Sequence, residues 1–294
     1  MKLIATNAAV AALLLITYPL EAARAQNAAS NGNREVSIGI GVPDSIDFHG
    51  SVGAAIGLVP DYEGSDDYEV NVLPLVDIRQ PGFLFLKGAS VNPNDGTASV
   101  GWNALNFAYS AGSEEKLRLS LGPLVRYSNG RDEDDNDALN GLGDIDGSAG
   151  IGGFFEASAG PLSADVTVMS QDTGDSGNGV LIAFGAKYTA QVSNRFTVSS
   201  GVSSSWSDND YMRGFYGVTD SQAVRSGLAL FDAGSGFKDV GVQLGASYEM
   251  AENWLINGQV GYQRLLNDAA DSPLVDDKGS PDQFRALIGV AYRF

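Results

Sequence analysis

His49 is the only histidine in this 294-residue chain, and that limits the chemistry the sequence could carry. A serine nucleophile needs a base within hydrogen-bond reach and a third group to orient that base. His49 falls just before the first apolar alternation, where the strand phase puts it at the periplasmic end, and it reads as a surface histidine. The chain has no cysteine, which removes thiolate nucleophiles and thiolate metal ligands together. Carboxylates are the remaining resource. The pairs Asp132/Asp134 and Asp144/Asp146 invite calcium, yet in the EF-hand spacing Asp137 stands where glycine belongs and Gly143 where the bidentate glutamate belongs. The sequence therefore names no catalytic residue, no cofactor-binding residue, no metal ligand and no cofactor, and an enzyme is not expected.

A second set of charges sits inside alternating stretches, on the polar phase: Glu69, Asp77, Arg79, Arg118, Arg126, Glu156, Asp165, Lys187, Arg195 and Asp239. Both signs are present. If they point inward they must pair with one another or with water, because an isolated charge out of solvent is costly. Two readings follow, a salt-bridge network that fills the interior and a selectivity lining for small solutes. The first is slightly favoured.

The elements that would position them are strands. In Phe284–Phe294, apolar residues occupy every second position (Phe284, Ala286, Ile288, Val290, Tyr292, Phe294), while Arg285 and Arg293 lie on the alternate face. Similar stretches recur at 50–58, 68–78, 82–90, 98–109, 115–127, 147–158, 162–170, 179–190, 195–206, 238–249, 253–265 and 283–294. In 238–249, Val240, Val242, Leu244, Ala246 and Tyr248 share one face; in 253–265, Trp254, Ile256, Val260 and Tyr262 do. The stretches 82–90 and 98–109 lose alternation near Lys87 and Asn106, which a bulge or a shifted boundary would explain.

Connections between stretches run alternately long and short, as in barrels with short periplasmic turns and long external loops. The expectation is an all-β, transmembrane antiparallel β-barrel of about twelve strands, with ten or fourteen as alternatives, spanning 50–294. Residues 1–25 read as a cleaved signal peptide: Lys2, an apolar run over 8–16 too short to span a bilayer, and Ala23-Arg24-Ala25 before Gln26. Residues 26–49 read as a periplasmic or lumen segment, with an additional strand at 36–40 as the third option.

Net charge is −18 with a pI near 4.2, so a phosphate backbone would be repelled and nucleic acid is excluded as a partner. The acids concentrate in the long loops (Asp61, Glu63, Asp66 and Asp67; Asp132 to Asp137; Asp208 and Asp210; Asp268, Asp271, Asp276 and Asp277) and read as solvated loop surface. Loose cation bridging to lipopolysaccharide, beside contact with outer-membrane lipids, is the partner chemistry they allow.

The loops and strand ends resemble the MltA-interacting protein (MipA)/OmpV family of outer-membrane proteins. The likeness rests on Pro60-Asp61-Tyr62-Glu63-Gly64-Ser65, Pro74, Gly141-Leu142-Gly143-Asp144-Ile145-Asp146, Trp206 to Tyr211, Tyr216-Gly217-Val218, Gly236 to Gly241, and Asn267 to Leu274 with Gly279-Ser280. It covers about Gly50 to Phe294. The resemblance implies cell outer membrane localisation and a scaffold that brings a lytic transglycosylase and a penicillin-binding protein together. A terminal Phe294 two positions after Tyr292 resembles the signal read by the barrel assembly machinery. A narrow porin-like channel is the alternative function.

Overall fold

The structure, a computed structural model, describes residues 34–42, 47–88, 90–92, 97–111 and 114–294. The expected signal peptide and residues 26–33 lie outside the described residues. Along the chain run β1 (Arg34–Ile40), β2 (His49–Pro60), β3 (Tyr68–Arg79), β4 (Leu84–Lys87), β5 (Ala98–Trp102), β6 (Leu105–Ala111) and β7 (Glu114–Ser128). There follow β8 (Ser148–Ala159), β9 (Leu162–Asp172), β10 (Asn178–Ser193), β11 (Phe196–Ser207), β12 (Gly236–Ala251), β13 (Trp254–Leu265) and β14 (Asp282–Arg293). Among the described residues, short α-helices lie only in external loops: α1 (Asn209–Tyr216), α2 (Asp220–Ser226), α3 (Asn267–Ala270) and α4 (Pro273–Asp276).

All pairings are antiparallel, and twelve strands close the ring: β2-β3-β4-β5-β7-β8-β9-β10-β11-β12-β13-β14 and back to β2. The seam between last and first strands is pinned at its foot by mutual backbone bonds of Gly50 and Phe294, at 3.2 and 3.0 Å. One lateral row, His49, Arg79, Phe85, Gly101, Leu124, Gly152, Met169, Leu181 and Ser207, starts at the periplasmic end of β2 and arrives at the external end of β11. That climb is the strand tilt a closed barrel requires.

Alternation decides which face meets lipid. Val52, Ile56 and Leu58 on β2, Val242 and Leu244 on β12, and Ile288 and Val290 on β14 are exposed on the outer face. Their neighbours Ala55, Leu287 and Ala291 are buried. Aromatic pairs band both ends of the apolar belt: Trp254 and Tyr292 meet edge to face at 5.3 Å on the periplasmic side, and Tyr262 and Phe284 at 5.0 Å on the external side. On β13 and β14 these residues are eight positions apart, about 26 Å along a strand before tilt, in keeping with an outer-membrane apolar band of about 25 Å.

The structure departs from the sequence reading at two places. The expected strand 98–109 is split at Asn103-Ala104, and β4 stops at Lys87. The chain turns sharply at the split, with Ala104 N–H donating to Trp102 O at 2.8 Å and Asn103 N–H to Phe83 O at 2.7 Å. Below the split, β6 continues along β7 and offers a free edge, which β1 takes, pairing Arg34 with Ala111 through Ile40 with Leu105. Trp102 Nε1–H donates to Gly41 O at 2.9 Å and fixes the upper end of β1. Within 26–49, the alternation at 36–40 is thus a strand, the third of the options open for that segment. An unpaired edge attracts a strand because its N–H and C=O groups need partners.

Candidate functional site

The long external loops pack on each other. Tyr62 from the β2–β3 loop, Leu139 and Leu142 from the β7–β8 loop, Val218 and Leu228 flanking α2, and Leu274 on α4 form one apolar cluster. Met212 and Tyr216 on α1, Ala233, Leu265, Ala269 on α3 and Val275 on α4 form a second. Both are nearly water-free, with Leu139, Met212 and Val275 at 0% exposure. Loops rich in acids thus carry their own core, and the cap they form is a folded unit.

Local sequence builds each piece. Asp208 caps α1, accepting from Tyr211 N–H at 3.0 Å, and also accepts from Val180 N–H at 2.9 Å, which ties the helix to the rim. Thr219 and Gln222 form a reciprocal capping box on α2, and Gly227 ends it at φ 77°, a left-handed conformation suited to glycine. Ser272 caps α4 and donates to Tyr216 O at 2.7 Å. The carboxylates singled out for calcium hold loop backbone: Asp144 accepts from Glu133 N–H and Asp132 from Asp134 N–H, both at 2.9 Å. Glu133 itself accepts from Gly141 and Gly143 N–H at 3.1 and 2.9 Å. Asn136 bridges to Asp61 at 2.9 Å and Asp67 at 3.3 Å, joining two loops.

Beneath the cap lies a buried ionic group. Lys238 donates to Glu63 Oε1 at 2.6 Å and lies 3.1 Å from Asp239 Oδ2. Ser205 donates to the same Asp239 oxygen at 2.6 Å, and Gln263 to Glu63 at 3.2 Å. Lys238 and Asp239 side chains are 1% and 0% exposed. Adjacent strand residues cannot normally share a face. Here the register shifts between Ser205 and Trp206, which pair with Asp239 and Phe237, so Lys238 is an extra residue in a β-bulge and turns inward with its neighbour. Glu63, expected on solvated loop surface, is instead drawn inside by the ammonium it neutralises.

Buried phenols and a guanidinium complete the underside of the cap. Burial pushes the Tyr62 and Tyr211 hydroxyls up to about 12 and Tyr216 well above its ordinary value. Burial also pushes Arg131 down, to about 10, which leaves it cationic at neutral pH; its Nη1 donates to Phe215 O at 2.9 Å.

Below the cap the lumen holds a cavity of about 630 Å³. Of the ten charges expected to face inward, Asp77, Arg79, Arg126, Glu156, Asp165 and Lys187 line it. Asp239 belongs to the buried ionic group above. Glu69, Arg118 and Arg195 do not line the cavity and are exposed: Glu69 stands near the external end of β3, Arg118 on the lower part of β7, and Arg195 in the β10–β11 turn. Lys87 joins the lining. His49 lies exposed at the foot of β2, opposite Arg79. None of the residues in the four packed external loops lines the cavity, whereas Ser51, Arg79, Ser163 and Ser247 near the periplasmic strand ends do, so it opens downward. The segment after β4 turns into the barrel, where Val91, 4% exposed, packs toward Gly261 on the far wall.

The family described as MltA-interacting protein MipA matches residues 52–294. The chain belongs to this family. The MltA-interacting protein of Escherichia coli (strain K12) is 26% identical over 252 residues, covering 83% of this chain and 90% of that one. YiaT of the same strain, whose description places it among outer membrane proteins, is 26% identical over 200 residues, covering 67% of this chain and 78% of its own. Of solved structures, the NanC porin aligns at a TM-score of 0.43 and 11% identity, over 83% of this chain and 100% of that one. The protein is an outer-membrane β-barrel of the MipA family, as its lipid-facing belt and aromatic bands require.

Proposed function

We propose that the protein is a non-enzymatic scaffold of the outer membrane whose periplasmic face holds a lytic transglycosylase, the partner kind for which its MltA-interacting relatives are named, and through it a penicillin-binding protein. The observation that carries this reading is the packed external cap: two apolar clusters and the Glu63–Lys238–Asp239 group stand across the outer end of the lumen. A barrel stopped there offers its partner surface on the other side. Phe294, paired with Gly50 at the closing seam, is the proposed handle for the assembly machinery.

Single cysteines in this cysteine-free chain test the reading. With the protein in lipid nanodiscs and a purified lytic transglycosylase added, a photo-cross-linker at Gly160 or Glu252 in the periplasmic turns should capture the enzyme. The same linker at Gly227 behind α2 should not. Equal capture at both faces, or none at either, would remove the scaffold reading. A narrow channel is the second reading, favoured by the polar, mixed-charge cavity, and bilayer conductance separates the two.

A further inference from the structure

β1 covers the open edge of β6 and in doing so presents an edge of its own. Among the described residues no strand lies on its other side. Gly41 N–H donates to Ala104 O at 3.0 Å, and backbone groups alternate sides along a strand. Ser37 and Gly39 therefore turn their N–H and C=O toward β6, while Val36, Ile38 and Ile40 turn theirs to the open side. Edges are ordinarily blunted by proline, by charge or by a bulge. Where β3 outruns β4 the chain follows that rule: Gly88 N–H donates to Val76 O, and Pro74, two positions higher, has no N–H to offer on the same side. From Val36 to Gly41 the sequence holds neither proline nor charge, and the register with β6 carries no bulge.

The edge stands on the periplasmic side. The lowest pair of β7 with β8 is Arg118 with Ser158, at the β8–β9 turn, whereas β6 follows β7 down to Glu114 and β1 follows β6 to Arg34. Lateral rows climb from β2 toward β11, so each step back from β7 to β6 to β1 is also a step down. The lower half of β1 thus hangs beneath the barrel foot. One of its faces is apolar: Val36, Ile38 and Ile40, 40, 64 and 56% exposed, extend rows begun by Tyr109, Phe107 and Leu105 on β6.

We infer that this edge is where the periplasmic partner docks, adding an extended segment of its own chain, apolar at every second residue, as a further strand beside β1. The inference rests on the scaffold reading and names the surface at which the lytic transglycosylase engages. In such strand addition main-chain bonds give affinity and alternate side chains give register. Two other occupants fail on geometry. Copies of the chain in one membrane are related by an axis along its normal, which leaves their β1 strands running the same way with apolar faces turned to opposite sides. Once the expected signal peptide is removed, residues 26–33 precede β1, and after a two-residue turn at Asn31-Gly32 they would end opposite Ser37, short of Ile38 and Ile40.

Binding of a purified lytic transglycosylase to the full mature protein in lipid nanodiscs, read as Kd by biolayer interferometry, tests this. Ile38→Pro removes an N–H that β6 does not use and sets a ring in the path of an added strand, so it should weaken binding at least about tenfold. Ile38→Thr keeps the N–H and should weaken binding less than about threefold. Ser37→Cys with Ala108→Cys, a pair of register partners, should form a disulfide in both variants, which certifies that β1 is still docked on β6. Deleting residues 26–33 should leave Kd unchanged. Equal weakening by proline and threonine, no weakening by proline, or loss of binding on the deletion would overturn the proposal. With cross-linked capture at Gly160 or Glu252 intact, such a result removes the β1 edge and leaves the scaffold standing. Absence of both binding and capture with the unaltered protein would instead remove the scaffold reading, and this inference with it.

Discussion

Lys238 shows how one extra residue on a strand changes what the molecule contains. In strict alternation it would face lipid beside Phe237 and Val240; the bulge turns it inward to Glu63 and Asp239. Its inward aim was legible in principle, since Phe237 and Val240 both face out yet stand three apart, a phase break that only an inserted residue resolves. What the sequence did not show was its partner, because Glu63 comes from a loop 175 positions away and looks like any acid in a solvated run. Lys238→Met should destabilise the folded protein by about 3–5 kcal/mol, as it leaves two carboxylates buried without their cation. Adding Glu63→Gln should recover part of that loss, because one of the stranded charges is then gone. Thermal unfolding in detergent followed by circular dichroism gives both values; a loss below about 1 kcal/mol for the single change would mean that water reaches the group.

Among the elements, long strands were the easiest to read, because a period of two sustained over twelve residues leaves little choice of face. The expected 238–249 and 253–265 fall within β12 and nearly coincide with β13, with Val242, Leu244 and Val260 on the lipid side as expected. Arginine at Leu244 should therefore cost about 2–4 kcal/mol if near the bilayer midplane, and arginine at Gln243 much less, since the lumen can hydrate it. Refolding titrations in liposomes read the pair, and equal costs would put the lipid face in the wrong place. Short elements were harder. β4 and β1 have four and seven residues, and β1 takes its place on the β6 edge freed by the split at Asn103, a contact-driven event. The cap was hidden for a related reason: its apolar residues are scattered among acids and meet only in three dimensions. Its phenols supply a pH test. Tyr62 and Tyr211 have folded values of about 12, above the ordinary 10.0, so their contribution is fully present below pH 10 and is lost as pH rises toward 12. Phenolate absorbance should appear together with protease sensitivity of residues 208–235 across that window, with strand circular dichroism retained. Ionisation at the ordinary value with the loops still protected would contradict the burial.

At the scale of the whole molecule, the ring of twelve strands, the side facing lipid and the outer-membrane location follow from patterning repeated along the chain, which is why those features were readable before any contact was known. Whether the lumen is open was not readable, because strand number alone leaves a twelve-strand barrel between the filled and the channel-forming sizes. The answer comes from loop packing: the external end is capped and a cavity of about 630 Å³ remains on the periplasmic side. The most direct measurement of this closure is ionic current through the purified protein in planar bilayers, compared with a variant in which residues 209–233, carrying α1 and α2, are replaced by a short glycine-serine linker. The intact barrel should stay silent, and the variant should show stepwise conductance while keeping its heat-dependent gel shift. Steady single-channel current from the intact barrel at neutral pH would contradict the account.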